Sequence, residues 1–299
     1  MPWPRIISAL VGIAVALPAL VLGGWYFTAA LCVIVYLGQL EYFQLARAKG
    51  IAPAAKTTLV VSQILLVVSN LQVSNIQGAI ADAIFPVAGT LICFYLLFQP
   101  KFATIADIST SIMGLFYGGF LPSFWVRLRA VEQAQYTNVP LQGYWITDWA
   151  HLQLQNLPIG LTHTVLAFLC IWAADIGAYV FGRAFGKTRL SDISPKKTVE
   201  GAVFGVLASV AVAVLGAWYL HWSGFPITGM FLGLLVGIAS LLGDLTESMM
   251  KRDAGVKDSG DLIPGHGGIL DRADSYVFTA PLVFYFVTLI LPLISQLTQ

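Results

Sequence analysis

Long apolar runs alternate with short polar breaks along the whole chain. Nine of these runs come close to the roughly 20 apolar residues that a helix needs to cross a hydrocarbon core about 30 Å thick. They lie near residues 6–22, 25–43, 58–74, 78–98, 103–124, 159–182, 200–221, 226–248 and 276–297. The pattern predicts an all-α, polytopic integral membrane protein with about nine transmembrane helices.

The composition agrees with this interpretation and excludes the soluble classes. Hydrophobic residues make up 58% of the 299 residues and charged residues only 10%, against roughly 25% charged in an ordinary soluble domain. Disordered, collagen-like and coiled-coil chains are excluded too, because the polar bias, the glycine repeat and the charged heptads that they need are absent. The net charge of +1 gives no indication of nucleic acid as a partner.

Lysine and arginine are distributed unequally between alternate loops, and positive residues in short loops stay in the cytoplasm. With nine helices and an inner N-terminus, 14 of the 16 lie inside, and only Arg127 and Arg129 lie outside. We therefore expect a cytoplasmic N-terminus and an outer C-terminus. A retained first helix is expected because no small-x-small cleavage site follows the first apolar run. Since no transit peptide is visible, a bacterial-type plasma membrane is the expected location.

The chain is then expected to have two regions. Residues 1–150 contain helices one to five and an outer loop, and residues 151–299 form a C-terminal catalytic region with two charged cytoplasmic loops. The stretch 127–158 carries aromatic residues among polar ones. This composition predicts an outer loop or a helix that lies on the membrane surface.

Charged residues are concentrated in two windows, 175–200 and 244–274, which hold 19 of the 31. In the first window, Asp175 lies near the end of an apolar run. A carboxylate there is costly and usually faces a polar cavity, which favours a functional role. A local pair with Arg183 at the end of the helix is the alternative.

Hydroxyl and basic residues follow at the predicted start of the next helix, namely Ser194, Lys196, Lys197 and Thr198. Cationic charge, hydroxyl donors and the positive end of the helix dipole all favour a polyphosphate. A basic anchor for lipid headgroups is the alternative. The preceding segment 182–188 resembles a P-loop, but it has three residues between its glycines where four are required, and it follows a membrane helix.

The second window places carboxylates on two predicted helices that a glycine-rich loop separates. The residues at 244, 247, 248 and 251 share one helix face, and Asp271 and Asp274 share a face of the next helix. Such carboxylates are hard oxygen ligands for Mg²⁺, and the basic neighbours remain for phosphate. Ordinary salt bridges and an ordinary turn are the alternatives. A lone His266 is a weak metal ligand, and we expect it to contact a phosphate.

Three segments of this window carry a family resemblance. They read Ser-Met-Met-Lys-Arg at 248–252, Lys-Asp-Ser-Gly at 257–260 and Ile-Pro-Gly-His-Gly-Gly-Ile-Leu-Asp-Arg-Ala-Asp at 263–274. With this spacing they resemble the signature of the phosphatidate cytidylyltransferases, also called CDP-diacylglycerol synthases. Asp-x-x-Ala-Tyr at 175–179 and Ser-Pro-Lys-Lys-Thr-x-Glu-Gly at 194–201 resemble that family as well. The first 150 residues resemble it only as apolar helices.

The resemblance implies a reaction in which CTP and phosphatidic acid give CDP-diacylglycerol and pyrophosphate at the cytoplasmic membrane face. It also implies that Asp244 and Asp271 bind Mg²⁺, that a monovalent cation such as K⁺ sits beside it, and that the enzyme is a homodimer. With Asp274 assisting the metal, the expected catalytic residues are Asp244, Asp271, Lys251, Arg252 and Asp274. The residues expected to bind CTP or phosphate are Asp175, Ser194, Lys196, Lys197, Thr198, Lys257, His266, Gly267, Gly268 and Arg272.

Other functional classes fit the sequence less well. A transporter or channel also uses intramembrane carboxylates, but neither inverted repeats nor paired broken helices are visible. A CDP-alcohol phosphotransferase would carry Asp-Gly-x-x-Ala-Arg, whereas this chain has Asp-Arg-Ala-Asp, and a serine hydrolase would need a Gly-x-Ser-x-Gly elbow. A lipid kinase that uses CTP stays open, and it would release CDP where cytidylyl transfer releases pyrophosphate.

Overall fold

The computed structural model describes residues 3–71, 77–131, 138–151, 153, 156–262 and 267–297. No strand occurs among them, and the two isolated β-bridges join Val139 to Gly143 and Arg189 to Thr198. The predicted all-α class is confirmed. The helices are α1 (Trp3–Leu22), α2 (Gly24–Ala48), α3 (Ala55–Asn70), α4 (Gln77–Leu97), α5 (Ile105–Leu115), α6 (Leu121–Arg129), α7 (Ile159–Phe185), α8 (Val199–Tyr219), α9 (Ile227–Asp253), α10 (Leu270–Tyr285) and α11 (Leu291–Leu297).

Short turns of other helical types occur between some of the helices. The π-helical turn Phe116–Phe120 joins α5 to α6, and the π-helical turn Phe286–Ile290 joins α10 to α11. A 3-10 turn covers Pro140–Gln142. Because the π-helical turns continue the helices on either side, the predicted runs 103–124 and 276–297 each correspond to one longer helical segment.

Five helical segments of the described chain are long and apolar enough to cross a membrane. Three further helices are apolar but shorter, at Leu10–Leu22, Ala55–Asn70 and Asp82–Leu97. The helices therefore agree with a polytopic membrane protein, while the count of nine and the orientation of the termini stay predictions. The five long segments are Gly24–Ala48, Ile159–Phe185, Val199–Tyr219, Ile227–Asp253 and Leu270–Leu297.

Helix α6 extends to Arg129, into the stretch 127–158 that the sequence predicted as an outer loop or surface helix. The Arg129 side chain is buried, and its Nε and Nη2 donate to the carbonyl oxygens of Leu20 and Val21, each at 2.7 Å. These carbonyls belong to the last turn of α1, which leaves acceptors without partners inside the helix. A cation at this end also interacts favourably with the helix dipole.

The described residues form two compact units. The first unit takes the described residues of 1–130, 134–145 and 250–273, and the second takes those of 131–133, 146–249 and 274–299. The predicted division at residue 150 stays a prediction.

In the first unit, one apolar cluster contains Ala54, Ala88, Ile92, Leu96 and Leu115, all buried. Beside it, helix α5 begins with a capping box, in which Thr104 and Asp107 satisfy each other's backbone N–H groups. The Asp107 carboxylate also accepts the N–H of Ala52 at 2.6 Å. Such caps satisfy donors that the first turn of a helix otherwise leaves without partners.

In the second unit, glycines let neighbouring helices approach closely. A Cβ atom at Gly233 of α9 would lie 2.4 Å from the Cα of Val210 and 2.8 Å from the carbonyl oxygen of Ser209, both in α8. Gly229 and Gly237, four residues away on either side, lie against the same helix. Backbone atoms cannot move aside as a flexible side chain can, so this face of α9 has no room for a larger residue.

Replacing Gly233 with alanine should therefore lower the free energy of unfolding by about 1–3 kcal/mol, because the added methyl group overpacks the contact between α8 and α9. Thermal and denaturant unfolding of the detergent-solubilised protein, followed by circular dichroism, measures the change. Gly12→Ala is the matched control, since nothing lies within 4 Å of its added Cβ. Equal stability of the two variants would contradict the packing described for α8 and α9.

Candidate functional site

Three carboxylates of the second unit lie near one another. Asp175 comes from α7, Asp244 from α9 and Asp274 from α10. Asp244 repels both of the others electrostatically, and Lys197 attracts both of them. The Lys197 ammonium group forms an ion pair with Asp244. The structure thus brings together four of the residues that the sequence predicted for the site.

Hydroxyl groups of α9 lie beside these carboxylates. Ser240 Oγ donates to Asp175 Oδ1 at 3.4 Å, and Ser248 Oγ donates to Asp244 Oδ1 at 3.4 Å. Because Ser240, Asp244 and Ser248 are spaced four residues apart, they share one face of α9. Of the polar face predicted for positions 244, 247, 248 and 251, Asp244 and Ser248 are in contact here, whereas Lys251 pairs with Asp271. The Asp274 carboxylate accepts the N–H of Ser275 at 2.7 Å.

Backbone hydrogen bonds within the segment hold the turn that carries Lys196 and Lys197. The N–H of Lys197 donates to the carbonyl of Ser194, and the N–H of Leu190 donates to the carbonyl of Lys197, each at 3.0 Å. The Thr198 side-chain oxygen accepts the N–H of Gly201 at 3.1 Å and so caps α8. Ser194 and Thr198, predicted as phosphate contacts, therefore also fix the turn that presents the two lysines.

Glu200 also shapes this segment, and the sequence analysis gave it no role. Its carboxylate accepts the N–H of Lys187 at 3.1 Å and the N–H of Thr188 at 3.2 Å. These bonds connect the first turn of α8 to the residues that follow α7. A carboxylate in the first turn of a helix is also favoured by the helix dipole.

A second carboxylate cluster, in the first unit, surrounds Asp271. Its Oδ1 pairs with the Lys251 ammonium group. Its Oδ2 accepts the N–H of Ser259 at 3.0 Å, the hydroxyl of Ser259 at 3.0 Å and the N–H of Gly268 at 2.8 Å. The side chains of Lys251 and Asp271 are only 10% and 8% exposed. Both residues were predicted as catalytic, and the structure makes them a nearly buried ion pair.

Glu41 belongs to the same cluster and was missed in the sequence. It lies in α2, within the apolar run predicted at 25–43, and only 1% of it is exposed. Its carboxylate accepts the Ser259 hydroxyl at 2.8 Å and the N–H groups of Ile269 and Leu270 at 2.9 Å each. A carboxylate in an apolar run was the signal that singled out Asp175, and the same signal was present here.

The other predicted residues are described by their exposure or backbone geometry, or lie outside the described chain. Lys196, Lys257 and Arg272 are exposed. Arg252 is exposed too, and its guanidinium donates to the carbonyl of Val256 at 3.1 Å. Gly267 has a positive φ of 81°. His266 lies outside the described residues, so its predicted phosphate contact stays a prediction.

The described residues contain no group of three or more His, Cys, Asp or Glu side chains arranged to hold a metal ion. Asp244 and Asp271, the two aspartates that the resemblance identifies as metal ligands, each have a lysine as counter-ion instead. Carboxylate oxygens are the ligands that Mg²⁺ prefers, and this ion usually takes one or two carboxylates together with substrate phosphates. The donor set of Asp175, Asp244 and Asp274 fits such an ion chemically.

Comparisons with known proteins agree with this chemistry. A model of the Cytidylyltransferase family matches residues 3–290. A phosphatidate cytidylyltransferase of Synechocystis is 65% identical over 99% of this chain and 100% of that protein. A chloroplastic phosphatidate cytidylyltransferase of Arabidopsis thaliana is 42% identical over 92% of this chain and 71% of that protein. A phosphatidate cytidylyltransferase of Haemophilus influenzae is 33% identical over 96% of this chain and 99% of that protein.

Lys251→Met should lower the free energy of unfolding by about 3–5 kcal/mol in the presence of EDTA, because the variant leaves the buried Asp271 carboxylate without its cation. The double variant Lys251→Met/Asp271→Asn should recover much of this loss. The asparagine oxygen can still accept the N–H groups of Ser259 and Gly268, and its amide faces the methionine. Denaturant unfolding in detergent measures both variants. A double variant as unstable as the single one would contradict the role of the ion pair.

Proposed function

The chain belongs to the Cytidylyltransferase family, and we propose that it is a membrane nucleotidyltransferase that converts CTP and phosphatidic acid to CDP-diacylglycerol and pyrophosphate. One observation carries the proposal, namely 65% identity, over nearly the whole length of both chains, to a protein named phosphatidate cytidylyltransferase. In the cell this reaction serves phospholipid biosynthesis.

In this reaction an oxygen of the phosphatidate phosphate attacks the α-phosphorus of CTP. The bond between that phosphorus and the oxygen that bridges to the β-phosphate breaks, and pyrophosphate leaves with the bonding electron pair. A phosphate monoester is already largely ionised near neutral pH. The protein therefore needs to position two anions and neutralise their charge, and it has little need of a general base.

The proposed neutralising groups are the lysines and arginines of the two charged windows. Lys197 and Lys251 are each paired with an aspartate, whereas Lys196 and Arg252 are exposed. We propose that these four residues contact the triphosphate and the departing pyrophosphate. Asp175, Ser194, Thr198, Lys257, His266, Gly267, Gly268 and Arg272 keep their proposed roles in binding CTP or phosphate.

Mg²⁺ is part of the proposal, with Asp244 and Asp274 as oxygen donors and Asp271 as a ligand that the resemblance implies. When bound, the ion would neutralise charge on the CTP phosphates. The ammonium groups of Lys197 and Lys251 would contact the phosphates of CTP. A monovalent cation such as K⁺ is proposed beside the divalent one, on the resemblance alone.

The membrane setting follows from the same proposal. The acyl chains of phosphatidic acid would remain in the bilayer while the headgroup reaches the polar residues near the ends of the helices. The positive-residue bias supports a site that faces the cytoplasm of a bacterial-type plasma membrane, with an inner N-terminus and an outer C-terminus. The family resemblance supports a homodimer.

Purified protein in mixed micelles with phosphatidic acid, Mg²⁺ and CTP should transfer the α-phosphate label of CTP into lipid and release pyrophosphate. Parallel reactions with CTP labelled at the α- or the γ-phosphate, resolved by thin-layer chromatography, measure this. Lipid labelled from the γ-phosphate, with release of CDP, would instead identify a kinase and overturn the proposal.

A pair of lysine variants, one test and one matched control, probes the proposed CTP contact in this assay. Lys197→Ala should raise the KM for CTP, because Lys197 is proposed to contact the triphosphate. Lys56→Ala removes an exposed lysine at the start of α3 and should leave the KM for CTP unchanged. An equal KM in the two variants would count against the phosphate contact of Lys197 while leaving the product test intact.

A further inference from the structure

The carboxylate of Glu41 satisfies the first turn of a helix that begins 229 residues later in the chain. The N–H groups of Ile269 and Leu270 are among the donors that the start of α10 leaves without intrahelical partners. Such donors usually find a Ser, Thr, Asp or Asn at the N-cap position. Here the residue before α10 is Ile269, which has no side-chain acceptor. The acceptor therefore comes from α2.

The position of Glu41 makes these hydrogen bonds obligatory. A buried carboxylate is strongly unfavourable unless hydrogen bonds or cations compensate for the water it has lost. Both oxygens of Glu41 are used, since Oε1 accepts the N–H of Ile269 and Oε2 accepts the Ser259 hydroxyl and the N–H of Leu270. Movement of Ser259 or of the first turn of α10 would take hydrogen-bond donors away from the buried Glu41 carboxylate.

Ser259 connects Glu41 directly to Asp271. Its hydroxyl lies 2.8 Å from Glu41 Oε2 and 3.0 Å from Asp271 Oδ2. A hydroxyl has a single hydrogen to donate, so the two carboxylates share it. The backbone N–H of Ser259 adds a further bond to Asp271 at 3.0 Å. The placement of the Asp271 carboxylate thus depends on groups that Glu41 holds.

Two glycines of the family signature make room for the Glu41 carboxylate. A Cβ atom at Gly260 would lie 2.9 Å from Glu41 Oε1, and a Cβ atom at Gly268 would lie 2.2 Å from Glu41 Oε2. Neither glycine has a positive φ. Space, and not backbone conformation, therefore explains why glycine occupies these positions.

We propose that Glu41 is a positioning residue for cytidylyl transfer, which holds Ser259 and the first turn of α10 so that Asp271 keeps its orientation. The proposal rests on the proposed function, because Asp271 has a catalytic role only if the chain transfers cytidylyl groups. Glu41 acts through its hydrogen-bond partners and is not assigned a contact with substrate.

Glu41→Ala should lower kcat by about 10–100-fold, the usual cost of removing a residue that orients a metal ligand. Gln39→Ala is the matched control. Gln39 is equally buried in α2, where its side chain donates to Ser62 Oγ at 2.7 Å and to the carbonyl of Gly114 at 2.9 Å. This variant should lose stability but keep kcat within about twofold of wild type. Equal losses of kcat in the two variants, or wild-type kcat in Glu41→Ala, would overturn the proposal.

A double-mutant cycle separates positioning from general destabilisation. Gly260→Ala should lower kcat on its own, because its methyl group displaces the Glu41 carboxylate. Added to Glu41→Ala, it should cause no further loss, because the group that it displaces is already gone. Independent, additive losses would contradict the proposed coupling.

Hydrogen–deuterium exchange gives a readout that does not require turnover. The amides of Ile269 and Leu270 should exchange faster in Glu41→Ala than in wild type, and Gln39→Ala should leave them unchanged. Unchanged exchange in Glu41→Ala would overturn the anchoring step. If the wild-type protein made no CDP-diacylglycerol, the proposed function would fail, while the exchange experiment would still decide whether Glu41 anchors α10.

Discussion

A carboxylate in an apolar helix must be stabilised by groups of the protein, because it has lost most of its contact with water. The buried carboxylates of this structure reflect that constraint. Glu41 is held by two backbone N–H groups and a hydroxyl, and Asp271 by two backbone N–H groups, the same hydroxyl and a lysine. In the second unit, Asp244 has Lys197 as its counter-ion. The buried carboxylates therefore occur in clusters with hydrogen-bond donors and a lysine, and in each cluster the carboxylates outnumber the lysine.

The pairing of lysine with aspartate connects stability to the proposed chemistry. The lysines that neutralise Asp244 and Asp271 in the protein alone are the groups proposed to neutralise CTP in the reaction. In the proposed function, Asp244 and Asp271 would hold the divalent cation, and Lys197 and Lys251 would contact the phosphates of CTP. Removing one partner of a nearly buried ion pair such as Lys251–Asp271 is costly, because it leaves a buried charge unpaired. Glu41 differs from Asp244 and Asp271, because its hydrogen-bond partners are two backbone N–H groups and a hydroxyl. No lysine that is proposed to bind phosphate takes part in these bonds.

The sequence predicted those parts of the structure that depend on local pattern. The apolar runs predicted long helices, and their count of nine stays a prediction. Helical spacing predicted that Ser248 lies beside Asp244, which the structure shows. Asp271 lies in the first turn of α10, near the helix start that the sequence predicted. The sequence could not predict which lysine forms an ion pair with each aspartate. Lys197 and Asp244 are 47 positions apart, and Lys251 and Asp271 are 20 positions apart. It also missed Glu41, whose partners lie more than 200 positions away. Such pairings are decided by tertiary packing, which helical periodicity does not encode.

Direct measurement of divalent-cation binding tests the central claim, which is that aspartates now paired with lysines are metal ligands. Mn²⁺ can be titrated into the detergent-solubilised protein without substrate, and electron paramagnetic resonance then measures the free ion. Wild type should bind Mn²⁺, Asp244→Asn should bind it much more weakly, and Asp253→Asn, which alters an exposed carboxylate of the same helix, should bind it as wild type does. Undiminished Mn²⁺ binding by Asp244→Asn would contradict the account.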